Sequence, residues 1–405
     1  MTDQIRSRLS VMFFLQYLIW ASWLPLLGQY LHDFLRFSAT EIAWIFGAWS
    51  IASVTAMFVS AQIADRYLSP ERFLAFSHLI GGVAMFALAF QKTFWPFFGL
   101  MLLHSLLYVP TLSITNSIAF HHLKDAQQDF GRVRLWGTIG WIAASWPFVF
   151  ILKGKEGPAL QTALSSIFLV AGLASLALAA WSLLLPPTPP ARNVAEKNAP
   201  LEAIKLLANP TILVLFFVTF LDALVHQCYF QWTGSFLGAI GVPANMIMPA
   251  MSIGQIAEIA TMAGLGYFLK RLGWRWIMVF GILGHAVRFF IYSIGNPTWL
   301  VVASNVVHGF CYAFFFASVY IFVDAHFPKD ARASAQGLFN FLILGLGPFV
   351  GGFLWAYLGD HYTVNGVVDF SRLFLVPAGL GVVAAVILFL GFHPAEPAPA
   401  AVKAA

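Results

Sequence analysis

Charge is scarce in this sequence. Only 10% of its 405 residues are Asp, Glu, Lys or Arg, against about 25% in an ordinary soluble domain. So few charges cannot cover a chain that is 60% hydrophobic, which excludes an array of soluble domains. Disorder is excluded too, because it requires a chain poor in apolar residues. Cysteine is nearly absent. Cys228 and Cys311 are the only two; both sit in apolar runs, where they read as small packing residues rather than a disulfide or a metal site. Catalytic motifs are missing as well. The chain has no G-x-x-x-x-G-K-S/T phosphate loop, no H-E-x-x-H and no G-x-S-x-G, so ATP hydrolysis of that type and the common hydrolase chemistries are not expected. The chain reads as no enzyme, with no cofactor and no metal.

What is abundant is apolar length. A helix needs about 20 mostly apolar residues to cross the hydrocarbon core of a bilayer. Twelve such runs are present, at 10–32, 41–64, 73–91, 95–119, 135–152, 160–185, 210–239, 246–269, 276–294, 298–323, 333–358 and 372–392. They are too long for barrel strands, and lipid leaves no partner for an open backbone, so each is expected to be a helix. The first run follows Arg6 and Arg8, as a signal peptide would, but its length and the span that follows argue for retention.

The net charge of +5 would suggest nucleic acid in a soluble protein. Here it reads as topology. With the amino terminus placed in the cytoplasm, sixteen of the 22 basic residues fall on the inner side and five outside, namely Arg36, Lys92, Lys153, Lys155 and Arg372. Arg288 lies within a span. The positive-inside rule then puts both termini in the cytoplasm of a multi-pass inner-membrane protein, with no nucleic-acid partner.

The chain divides at its midpoint. Pro186-Pro187-Thr188-Pro189-Pro190 opens a polar stretch that reads as a semi-rigid linker. The expected units are a six-helix half at 1–185, a linker at 186–208, a second half at 209–393 and a disordered tail at 394–405. The halves echo each other. Asp65-Arg66 is matched by Lys270-Arg271, and Lys124-Asp125-Ala126 by Lys329-Asp330-Ala331, each at an offset of 205 residues. Parallel six-helix repeats with a site between them define one large transporter architecture.

Ionisable groups inside spans cost about 2.5–3.5 kcal/mol each on insertion scales, so each needs a reason. Asp222, Glu258 and Arg288 are such groups, with Arg134 at the start of the fifth run. Gln255 and Glu258 share a helix face; Glu258 could serve a solute or proton path, or pair with Arg288 or nearby hydroxyls. Arg134, Thr138 and Trp141 form one stripe at i, i+4, i+7. A guanidinium, a hydroxyl and a flat ring together suit a polar solute containing a ring, although Arg134 could equally anchor the helix at the headgroups. His308 and Tyr312 are i, i+4, with Phe315 and Phe316 beyond. Gln227 with Phe230 or Gln231 makes a similar stripe, and Asp222 stands one turn before His226, where a local pair is the plain expectation.

These segments carry a resemblance. QYLIWASW at 16–23, ADRYLS at 64–69, PTLSITN at 110–116, RLWGTIG at 134–140, SIGQIAE at 252–258, Arg288-Phe289 and RASAQG at 332–337 are similar to the nucleoside:proton symporter family of the major facilitator superfamily. The resemblance covers nearly the whole chain. It implies an all-α membrane protein of twelve transmembrane helices in two pseudo-symmetric halves. It further implies a functional monomer that imports purine or pyrimidine nucleosides by alternating access, with protons as coupling ion. Position by position it points to Arg134, Thr138, Trp141, Gln227, Gln255, Glu258, His308 and Tyr312 as substrate-binding. Glu258 and Asp222 are the candidate proton-coupling groups. The family's pattern has Tyr-Asp-Phe-Phe where this chain has Tyr312-Ala313-Phe314-Phe315, and Phe230 replaces a polar residue. The missing acid leaves open a uniporter or exchanger, and the architecture alone would also suit another small polar solute such as a sugar.

Overall fold

The computed structural model describes residues 3–67, 69–123, 126–189, 205, 207–327 and 329–394. Lys124-Asp125, most of the expected linker and the tail after 394 lie outside the described residues. The chain is helical apart from one hairpin, in which Thr363–Val364 pairs antiparallel with Val367–Val368. Positive φ at Asn365 and Gly366 makes its tight turn. Nine helices among the described residues are long and apolar enough to cross a membrane.

Apolar composition alone does not place the helix ends. The first helix, Asp3–Gln29, starts well before its apolar run and continues as a π-helical turn at Tyr30–Phe34. Ala126–Ala143 begins nine residues before the run expected at 135. The charged first turns are compensated, because Arg6 binds Asp129 at 2.8 Å. The eighth and ninth runs are two helices, as expected, which follow each other without an intervening loop within Ala244–Ile294 and meet at a kink at Gly273. Straight, this stretch of 51 residues would measure about 77 Å at 1.5 Å per residue, far beyond a hydrocarbon core of about 30 Å. The bend therefore folds it into two arms. Gly273 makes the bend with φ 74° and ψ 169°, a region essentially restricted to glycine. Pro210–Ala239 starts conventionally, with Pro210 in its first turn and the Asn209 side chain accepting from the Thr211 N–H.

Helices up to Ser182 pack mainly on one another, apart from Ala39–Tyr67, which packs as much on the later helices, and those from Pro210 onward also pack mainly on one another. Within each set, short connections such as 35–38 and 89–93 separate the long spans, so successive spans run in opposite directions between two faces. The near face holds the start of the chain. The two sets meet mostly toward the far face. There Gly28 lies against the Gln231 backbone, Asn245 Nδ2 donates to the Val149 carbonyl at 3.3 Å, and His32 meets the edge of Trp232 at 5.0 Å. Trp44 also packs edge-on against Phe349 and Phe353.

Candidate functional site

Between the two sets lies a cavity of about 520 Å³, within the roughly 300–1,000 Å³ of small-molecule sites. Its lining reaches the near face through Asn116, Tyr320 and Asn340. The first set contributes Arg134, Thr138 and Trp141 from one stripe of Ala126–Ala143. The second set contributes Gln227, Gln255, Glu258, His308 and Tyr312. All eight expected residues therefore face one space. Helical periodicity brings neighbours on one helix together, and glycines bring the helices together. Gly254 lies against the His308 side chain, and Gly309 against the backbone of Ala257 and Glu258.

Arg134 is not simply a headgroup anchor. Its guanidinium stands 4.0 Å from the centroid of the Tyr17 ring, and both it and Glu258 line the cavity. Glu258 does not take Arg288 as its partner. Arg288 is fully buried and bonds His308 Nδ1 at 2.6 Å and His285 Nδ1 at 3.1 Å. Gln231 also turns away, donating to the Gly352 carbonyl at 3.2 Å, while Gln227 and Phe230 of the same stripe line the cavity.

Asp222 stands apart from the other candidates. It is fully buried behind the cavity, not in its lining. The local pair with His226 gives way to a long-range one: Asp222 Oδ2 is 3.6 Å from His285 Nε2. His226 instead stacks on His308, with centroids 5.3 Å apart. A helix turn offered the first pairing, and packing of a second helix supplied the other.

Sequence reasoning missed an aromatic wall. Trp20 stacks on Trp49 at 4.4 Å, Trp141 meets the Trp20 edge at 5.2 Å, and Phe230 continues the row 6.3 Å from Trp141. Tyr17 and Trp20 lie in the QYLIWASW segment and Asn116 closes PTLSITN, so the segments were visible but the roles of these residues were not. Several buried polar atoms around the cavity have no protein hydrogen-bond partner, among them Gln255 Oε1, Trp20 Nε1, Ser105 Oγ and His226 Nδ1. Buried polar groups are normally satisfied, so this surface is equipped to bond a polar guest. Ala313 is different again: it is fully buried with Leu265, Ile277, Phe314 and Ala317.

Comparison with known proteins decides the family. The family model described as "Nucleoside H+ symporter" matches residues 3–397. This chain belongs to that family. The symporter is 32% identical over 415 residues to xanthosine permease of Escherichia coli (strain K12), covering 96% of each chain. It is 31% identical over 401 residues to nucleoside permease NupG of the same organism, covering 94% of each. The crystal structure of the nucleoside transporter NupG matches with a TM-score of 0.86 at 29% identity, over 98% of this chain and 100% of that one. A D-xylose-proton symporter matches at TM-score 0.76 and 12% identity, over 96% and 97% of the chains, a likeness of fold alone. The symporter is thus an all-α, membrane-embedded secondary transporter that imports nucleosides with protons, and not an enzyme.

Proposed function

We propose that this symporter holds its nucleoside in the cavity between the two helix sets and moves it inward by alternating access. The observation that carries the reading is the convergence of eight polar or aromatic side chains, from both sets, on one space bordered by the Trp20–Trp49–Trp141–Phe230 wall. Trp141 and Tyr312 pack on the flat rings of the guest. Arg134, Thr138, Gln227 and Gln255 bond its ribose or base, and His308 adds a further polar contact. Glu258 is the group that takes the proton. Asp222, the second acid within the spans, lies one layer behind.

The same proposal extends to architecture. Counting both arms of Ala244–Ile294, and adding Ala39–Tyr67 and the broken Ala126–Ile151 rod, gives twelve crossings in two six-helix halves at 1–185 and 209–393. Residues 186–208 link the halves, and 394–405 form a tail. The near face is cytoplasmic, both termini lie there, and a monomer in the inner membrane is the working unit. The positive-inside bias supports this orientation, and the cavity lining then extends toward the cytoplasm.

Uptake of labelled uridine and adenosine into proteoliposomes tests the reading. Loading above protein-free controls is expected, driven by an inward proton gradient and competed by unlabelled nucleosides but not hexoses. Loading equal to the controls overturns it.

A further inference from the structure

Behind His308, which lines the cavity, lies a chain of buried groups that substrate contact does not explain: Asp222, His285 and Arg288. Asp222, His285 and Arg288 are fully buried and His308 nearly so. Arg288 is the hub. Its Nη1 lies 2.6 Å from His308 Nδ1 and its Nη2 lies 3.1 Å from His285 Nδ1. A guanidinium has donors and no acceptor. Both histidines must therefore receive through Nδ1, and each neutral ring carries its hydrogen on Nε2. For His285 that nitrogen lies 3.6 Å from Asp222 Oδ2, within ion-pair reach but longer than a hydrogen bond. For His308 the protonated nitrogen is the one left for the cavity that the residue lines.

The His308 ring is also fixed on its faces. Tyr229 stacks on it at 4.7 Å and 26°, and His226 at 5.3 Å and 20°. Arg288 covers the Tyr229 ring at 4.2 Å. Tyr229 and Tyr292 both donate to Asn305 Oδ1, at 3.2 and 2.8 Å. A second proton on His308 would have to enter at Nδ1, where the guanidinium already sits. The ring is built as a donor of fixed direction and not as a shuttle. Asp222 is the acidic group reached from the buried Arg288 at second hand, through His285.

We propose that Asp222, His285 and Arg288 are positioning residues that hold His308 in its Nε2–H form, so that His308 donates to one acceptor atom of the nucleoside and selects for it. This rests on the cavity being the nucleoside site. It gives Asp222 a role in recognition, separate from the transported proton.

Two measurements test it. The first needs no nucleoside. In ¹⁵N-histidine-labelled protein, the His308 resonances, assigned by their loss in His308→Phe, should report the neutral Nε2–H tautomer, with a mixed tautomer in Asp222→Asn. An Nδ1–H tautomer or an imidazolium in the unsubstituted protein overturns the proposal. The second compares binding of uridine and adenosine with analogues that each lack one acceptor: the 2′-, 3′- and 5′-deoxynucleosides and the deaza bases. His308→Phe should abolish discrimination against one analogue. Asp222→Asn and His285→Phe should reduce that same discrimination at least fivefold, and Asp222→Asn should add nothing in the His308→Phe background. Equal weakening toward every nucleoside, or additive effects, overturns it. So does an Asp222→Asn protein that keeps exchange but loses gradient-driven accumulation, because Asp222 would then carry the proton. If the unsubstituted protein binds no nucleoside, the site reading fails while the tautomer measurement still judges the relay.

Discussion

Gly309 packs its bare Cα against the backbone nitrogen of Glu258. The contact is backbone to backbone, so no rotamer can relieve a side chain placed there. Gly309→Ala should cost about 1–3 kcal/mol as overpacking and push Glu258 away from the His308 helix. Melting of the purified protein should shift down, and uptake should fall more steeply than the amount of folded protein. Uptake that merely follows folded protein would show that the position of Glu258 is not critical.

Glu258→Gln keeps size and hydrogen bonding but removes the proton site. Gradient-driven accumulation should be lost while nucleoside exchange survives. The unsubstituted protein should take up uridine faster as outer pH falls, because the proton is a co-substrate, and the variant should show a flat profile. Exchange and accumulation measured in the same proteoliposomes separate the two. Unchanged accumulation would remove Glu258 as the carrier.

Ala313 occupies the place where the family's pattern has an acid, yet it is enclosed by Leu265, Ile277 and Phe314. Ala313→Asp should therefore destabilise, by at least about 1–3 kcal/mol for an unpaired buried polar group. The pH profile of uptake should not change. A stable variant with a shifted profile would mean that the surroundings can still accept an acid.

Gly28 meets the Gln231 backbone where the two helix sets close on the far face. A methyl at Gly28 is a wedge, and about 1–3 kcal/mol of overpacking is up to about a hundredfold in the balance of two conformers. Gly28→Ala should raise labelling by an impermeant maleimide of a cysteine introduced at Ser235, a buried residue that lines a second cavity with Gln29, His32 and Asn245. Labelling that stays low would show that the contact does not hold that face shut.

The site was legible in the sequence where its signal is local. Arg134, Thr138 and Trp141 lie one turn apart on one helix, and Gln255 and Glu258 are polar in an apolar run, so each drew notice without a partner. The rest of the aromatic wall gave no such signal. Trp20 and Trp49 come from two other helices in a chain with 14 Trp and 41 Phe, and only packing distinguishes them from lipid-facing rings. Asp222 failed for the same reason, because its partner His285 is 63 positions away and periodicity cannot point that far. Helix starts were misplaced where charge stood in for loop, as at Asp129, whose charge is met by Arg6.

The single-residue bend at Gly273 bears on kinematics. Glu258 lies on one arm of the bent helix and Arg288 on the other, and Gly309 clamps the His308 segment to the first arm. Arg288 in turn bonds His308, so the two arms are tied to each other across the bend through one short segment. Any motion that separates the arms has to break that tie, and a pair of spin labels, one on each arm, would read it directly.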